Sequence, residues 1–200
     1  MDAGIPRRTL TVLACTSLLV IGLAGPATAR QCDWLADHTT VDQMVESGQT
    51  VCAVESGGAV GGVAEGGTFV GGPGDDYTLG SVDGKFFGHG GRDTAGGVGE
   101  NGLFVGGAGD DSNMLGTMNG EFIGGPGRDH CGVGTTGLFV GGPGNDSATI
   151  VWGTFIGGPG SDHVGHLYAK YIGGAGRDSV GECTGDDVKY VSVEATGLDC

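Results

Sequence analysis

Basic side chains are scarce in this chain: lysine and arginine together number 9 against 24 aspartates and glutamates, a formal net charge of −15. That balance argues against nucleic acid as a partner, because a basic stripe supplies most of such affinity. It equally disfavours an anionic membrane surface and suits a binder of cations. Long apolar runs are missing after the first few turns of chain. Only Leu10 to Leu23 is mostly apolar, and a membrane-spanning helix needs about 20 such residues without polar interruption. Arg7 and Arg8 precede that run and Ala27-Thr28-Ala29 follows it, so residues 1–29 read as a secretory signal. A chain starting near Arg30 keeps 7 basic side chains (9 less Arg7 and Arg8) and 23 acidic ones (24 less Asp2). The expected location is secreted, extracellular or associated with the cell wall. Catalytic signatures are absent as well. There is no H-E-x-x-H for a metalloprotease and no G-x-S-x-G for a lipase, so no catalytic residue is assigned and an enzyme is not expected.

Cysteine is sparse but informative. Setting aside Cys15 in the signal leaves five, Cys32, Cys52, Cys131, Cys183 and Cys200, in a compartment that permits disulfides. The simplest pairing joins Cys32 to Cys52 and Cys183 to Cys200, one bridge at each end, although spacing does not prove connectivity. Cys131 is then left alone, and its place in the repeat described next makes it a buried, inert thiol.

Glycine is abundant, at 47 of 200 residues, against a usual share of about 7%. Collagen is excluded because glycine does not fall at every third position. Disorder is disfavoured because all seven phenylalanines fall within one repeated apolar pair. The unit is an aromatic residue, a second apolar residue, then G-[GH]-x-G-x-D. Its copies end at Asp76, Asp93, Asp111, Asp129, Asp146, Asp162 and Asp178, with spacings of 17, 18, 18, 17, 16 and 16 residues. The 18-residue period divides into nonamers: GGAGDDSNM (106–114) is followed by LGTMNGEFI (115–123), with Gly120 where the first half has Asp111. Gly84, Gly102, Gly137 and Gly153 repeat the exchange, and Ala169 closes the series. Each period thus reads as an acidic turn with a strand, then a glycine turn with a strand, which is the sequence signature of a solenoid.

The forms GGPGDD, GGAGDD and GGPGND resemble the G-G-x-G-x-D-x-U-x nonamer of RTX-type (hemolysin-type) calcium-binding repeats over roughly residues 71 to 181. The resemblance implies an all-β, right-handed parallel β-roll, here of about seven turns, with Ca2+ held between loops stacked one turn apart. The implied ligands are the seven repeat aspartates, with glycine-turn carbonyls at Gly71, Gly106, Gly124, Gly141, Gly157 and Gly173. Three departures stand out. Only every second nonamer keeps its aspartate, the eighth place after each acidic turn is small, and the signal is N-terminal rather than C-terminal.

The chemistry of the motif supports that implication. Calcium takes 6–8 oxygen ligands, and glycine lets carbonyls turn toward an ion without an intervening Cβ. A column of aspartates with no cation places like charges one rung apart. Seven acidic turns offer up to six inter-turn sites, while the glycine edge is expected to be metal-free. A phosphate cradle is rejected, because a lysine and a helix do not follow the turn. The competing account is a calcium-independent structural or adhesive solenoid. In it the residue before each aspartate (Asp75, Arg92, Asp110, Arg128, Asn145, Ser161, Arg177) forms an acid–base ladder.

Strand alternation places Phe69, Phe86, Phe104, Phe122, Phe139, Phe155 and Tyr171 on one inner wall. The small eighth-place residues, from Thr78 through Cys131 to Val180, face them. The seventh places point outward and are too mixed for an ice-binding threonine ladder, and His130 and His163 among them read as solvated. The predicted organisation is a signal at 1–29, an N-terminal cap at 30–52, the repeats at 53–181 and a C-terminal cap at 182–200. Residues 33–47 are expected to form a short helix started by a capping box at Thr40 to Gln43, and Lys189 to Glu194 a last strand. The expected role is an exported calcium binder in which binding couples to folding, with an extracellular or cell-envelope partner.

Overall fold

A computed structural model describes residues 32–54, 56–114, 116–132, 134–185, 188–193 and 195–196. The signal-like segment lies outside them. Every named element is a β-strand, and every pairing is parallel. The strands form three walls that the chain visits in turn. The first is a ten-stranded sheet running from Trp34–Ala36 to Lys189–Val191, and the second a nine-stranded sheet from Ala59–Val60 to Ala195–Thr196. The third comprises Met44–Val45, Gly62–Val63, Ser81–Val82 and Gly97–Val98, continued by single bridges through Met118, Thr135 and Val151. The architecture is a parallel β-solenoid of about nine turns.

The core follows from period-two alternation. Seven of the ten first-wall strands turn an aromatic residue inward, and all seven rings, Tyr171 included, are fully buried. Successive rings stack with centroids 4.6 to 5.1 Å apart, the spacing that neighbouring strands impose. Burying each phenylalanine contributes about 1.5–3 kcal/mol. The small second-wall residues, Thr78, Ala95, Asn113, Cys131, Ala148, Val164 and Val180, are buried opposite them, as expected.

Three expectations need correction. The first concerns the wall count. The glycine half of each period contributes an inward residue of its own, such as Val82, Val98, Met118, Val151 or Leu167, all buried. Medium-sized side chains there close the side that a two-walled roll would leave open. The second is the helical cap. Trp34–Ala36 pairs with Thr50–Ala53, and Met44–Val45 with Gly62–Val63. Polar side chains take the local backbone into turns instead of capping a helix. The Asp37 carboxylate accepts the Thr39 N–H at 2.7 Å, the Thr40 hydroxyl donates to the Ala59 carbonyl at 2.5 Å, and the Gln43 N–H closes a turn on Thr40 O at 2.9 Å. Ala36, Val45 and Val51, one from each of these strands, are buried. The third correction follows from the second: with these extra rungs the solenoid has about nine turns rather than seven.

Cys32 and Cys52 are disulfide-bonded at the N-terminal end. Cys183 is also in a disulfide, while Cys200 lies outside the described residues. Cys131 is free and buried.

Candidate functional site

The acidic turn is the most uniform part of the repeat. In all seven copies the aspartate follows the buried aromatic by seven residues and precedes the buried second-wall residue by two. First-wall strands such as Leu103–Ala108 and Thr154–Gly160 run on through the glycines. The first glycine of each motif is required by contact. A Cβ on Gly71, Gly106, Gly124, Gly141, Gly157 or Gly173 would collide with Oδ2 of the aspartate five residues on. The second glycine is required by conformation in five copies, with φ from +113° at Gly125 to +123° at Gly158. His89 takes that place at φ +78°.

All seven aspartates are buried, none more than 1% exposed. Their Oδ1 atoms form a continuous ladder, each accepting the main-chain N–H of the aspartate one rung earlier. Asp93 accepts from Asp76, Asp111 from Asp93, Asp129 from Asp111, Asp146 from Asp129 and Asp162 from Asp146, at 2.7 to 2.8 Å. Asp178 accepts from Asp162 at 2.9 Å, and Asp76 closes the other end on the Gly58 N–H.

The Oδ2 atoms differ. That of Asp76 accepts the Gly72 N–H at 2.7 Å, whereas those of Asp93, Asp111, Asp129, Asp146 and Asp162 are buried without a hydrogen-bond partner. Beside them stand further acceptors: a Cβ placed on Gly88 would meet Asp93 Oδ2 and lie 2.5 Å from Gly106 O, and one on Gly157 would meet Asp162 Oδ2 and lie 2.6 Å from Gly173 O. At these two rungs an unpartnered Oδ2 and a glycine carbonyl border the space that a side chain would fill.

The electrostatics match this geometry. Burial pushes Asp93 and Asp129 up to about 8, with the neighbouring carboxylates adding to the rise and the ladder hydrogen bond opposing it. Burial likewise raises Asp146 to about 7, and Asp76, Asp111 and Asp162 to about 6. Isolated aspartate titrates near 3.9. Each of these six carboxylates therefore gains from a proton or a cation that the unfolded chain does not need.

The residues present fit a hard cation in donor type, since the unpartnered atoms of the column are carboxylate oxygens. Among the described residues no three His, Cys, Asp or Glu side chains converge on one point. The turn carbonyls are engaged in the ladder: Gly124 O, Gly141 O and Gly157 O accept the amides of Gly107, Gly125 and Gly142, each at 2.8 Å. Each such carbonyl retains a second lone pair.

The column before the aspartates behaves differently from a ladder of ion pairs. Asp75 accepts the Arg92 N–H at 2.7 Å, Asp110 the Arg128 N–H at 3.0 Å, and Asn145 the Ser161 N–H at 2.8 Å. The alternation along the sequence thus reflects acidic or amide side chains satisfying the next rung's main chain. The one ion pair formed between side chains of that column among the described residues, Arg92 with Asp110 at 3.8 Å, is exposed, where such pairs contribute about 0–1 kcal/mol. It leaves the buried column unneutralised.

The histidines do not gather at a metal site. His130 Nδ1 lies 2.9 Å from Ser147 Oγ, His163 Nδ1 lies 2.9 Å from Ser179 Oγ, and His166 pairs with Glu182 at 3.0 Å. Burial lowers His130. Burial also pushes the Cys131 thiol up to about 11, beside Thr135 Oγ1 at 2.8 Å, which keeps it protonated and unreactive.

Fold and site together define a parallel β-solenoid repeat protein with a buried aspartate column along one edge. Comparison with known proteins finds no family model, no curated protein and no solved structure that matches the chain. The likeness to calcium-binding repeats therefore stands on the motif.

Proposed function

We propose that this chain is an exported solenoid that binds calcium along its aspartate edge, and that binding consolidates the fold. The observation that carries this reading is the set of five buried, partnerless Oδ2 atoms on successive rungs, two of which, those of Asp93 and Asp162, border the same space as a glycine carbonyl. A cation supplies the positive charge that this column lacks. Asp93, Asp111, Asp129, Asp146 and Asp162 would hold it through Oδ2, with the first-glycine carbonyls contributing neutral oxygens. The Oδ1 ladder keeps the carboxylates in register, and the glycines keep side chains out of the space beside Oδ2. Export is supported by the N-terminal signal pattern and by the disulfide at Cys32 and Cys52. The proposed setting is extracellular or in the cell envelope, where a calcium-ordered rod presents its outer faces to a partner.

A second reading is favoured by the continuity of the Oδ1 ladder. There the carboxyls are protonated, with Gly106 O and Gly173 O as the acceptors nearest Asp93 and Asp162, and the solenoid is structural without metal. Asp129→Asn separates the two, because an amide reproduces the neutral carboxyl but carries no charge. Calorimetric titration of the metal-free protein with calcium should give saturable heat in the wild type and fewer sites in Asp129→Asn. No heat in the wild type, together with Asp129→Asn stabilised by about 1–3 kcal/mol at pH 8 by satisfying a buried group, would overturn the calcium reading.

A further inference from the structure

The third wall ends each rung at a corner whose outward side chains neither the core nor the aspartate column uses. Val82, Val98, Met118, Thr135, Val151 and Leu167 point inward there in one column. The residue after each therefore points out, which gives an outer column of Asp83, Gly99, Asn119, Thr136, Trp152 and Tyr168. Its last two members stack, with ring centroids 3.7 Å apart and planes 11° from parallel. Trp152 is nonetheless 52% exposed. Tyr168 covers one face of the indole. The rung on the other side offers only Thr136, whose hydroxyl donates to Asn119 Oδ1 at 2.6 Å, one rung further from the ring. One flat apolar face is thus left to solvent.

The same column continues as hydrogen-bonding groups and then as a cleft. Asn119 Nδ2 lies 3.5 Å from Thr117 Oγ1, and Ser81 Oγ donates to Asp83 Oδ1 at 3.0 Å. Between these two pairs the rung carries Gly97 and Gly99. The missing side chains leave a cleft of about 450 Å³, within the roughly 300–1,000 Å³ of small-ligand sites. Among the described residues that line it, Asp83 supplies the one charged group. From Asp83 to Tyr168 the column spans five rung steps, or about 24 Å.

We propose that this corner binds a glycan chain built of sugars without acidic groups. A pyranose ring presents an apolar face of C–H bonds, which lies flat on an indole, and a rim of hydroxyls that both donate and accept. The Asn119 amide and the Thr117 and Thr136 hydroxyls also do both, and the Asp83 carboxylate accepts. Their order along the column suits one extended ligand, with a sugar on Trp152, others passing Thr136 and Asn119, and one in the cleft at Gly97 and Gly99. Charge decides against other polymers. A chain with 9 basic and 24 acidic residues, and with a carboxylate in the cleft, repels nucleic acids and uronic or sulfated glycans. A proline-rich peptide also docks on aromatic rings but lacks the N–H donors that Asp83 would need. The corner lies apart from the aspartate column, so the proposal does not depend on what that column holds.

Titration of the purified protein in millimolar calcium, followed by tryptophan fluorescence and calorimetry, tests the assignment with cellohexaose, mannohexaose and chitohexaose as neutral probes. The expected result is a saturable response to at least one of them, with Kd between about 10 µM and 1 mM. The matching disaccharide, too short to reach from Trp152 to the cleft, should bind roughly tenfold more weakly. Trp34→Phe should keep the fluorescence change, whereas Trp152→Ala should remove it and weaken the calorimetric Kd about tenfold. Gly97→Thr leaves the aromatic pair untouched. A Cβ there meets nothing nearer than 3.5 Å, so threonine fits the strand, fills the cleft and should weaken the hexasaccharide more than the disaccharide at an unchanged unfolding temperature. No saturable response to any of the three probes at about 1 mM overturns the proposal, as does a Trp152→Ala variant that folds and binds like wild type. Tighter binding of hexagalacturonate or nonaproline than of all three neutral probes also overturns it, and would assign the corner to an acidic polymer or a peptide.

Discussion

A buried carboxylate is costly unless it is paired, and this chain buries seven. Main-chain amides satisfy one oxygen of each, and five of the second oxygens have no hydrogen-bond partner. In the metal-free fold those aspartates hold protons to higher pH than the same residues unfolded. The fold therefore binds more protons than the unfolded chain between about pH 4 and pH 8 and loses stability as pH rises through that window. Unfolding temperatures measured in chelator should fall steadily from pH 5 to pH 8, the range bounded by the raised values of about 6 to about 8. A curve that is flat, or that rises with pH, contradicts the assignment of these groups. Glycine requirements are set at the same scale. Gly106→Ala drives a methyl into Asp111 Oδ2 and should cost about 1–3 kcal/mol in denaturant unfolding. Gly72→Ala, whose nearest neighbour is Val54 O at 3.4 Å, should be far milder. The sequence made the aspartates and their glycines legible as a set. It did not show which carboxylate oxygen lacks a partner, because that depends on hydrogen bonds between residues 16 to 18 apart.

At the scale of the strand, legibility tracked constancy of spacing. Seven residues always separate the wall aromatic from its aspartate, so the ring stack and the facing small residues could be read directly. The third wall was hidden because its corner varies. Four residues separate Thr78 from Val82, three separate Ala95 from Val98, and five separate Asn113 from Met118, and no fixed period survives those changes. The N-terminal rungs were obscured for another reason. Thr40 to Gln43 has the residue types of a helix start, and only pairing with strands further along the chain makes the flanking segments extended. Removing one ring from the stack tests the core. Phe104→Ala, between Phe86 and Phe122 at 4.8 and 4.7 Å, should cost about 3–5 kcal/mol and open the solenoid at its middle rungs, read as loss of amide-exchange protection there. A cost confined to a few tenths of a kcal/mol would mean that the stack is not what holds the walls together.

For the molecule as a whole, the solenoid is a rod of repeated rungs with an acidic inner column on one edge and a stacked aromatic pair at the corner of its third wall. In such repeats each rung contacts mainly its neighbours, so a cation shared between rungs would act on cooperativity as well as on local stability. Whatever binds the folded form alone stabilises it in proportion to its occupancy. The most direct test compares thermal unfolding of the protein at pH 8 in chelator with unfolding in millimolar calcium, with magnesium as the control. The account predicts a low, broad transition in chelator and a higher, sharper one in calcium, with little effect from magnesium. The same high transition in chelator and in calcium would contradict it, and the aspartate column would then be held by protons and main-chain hydrogen bonds alone.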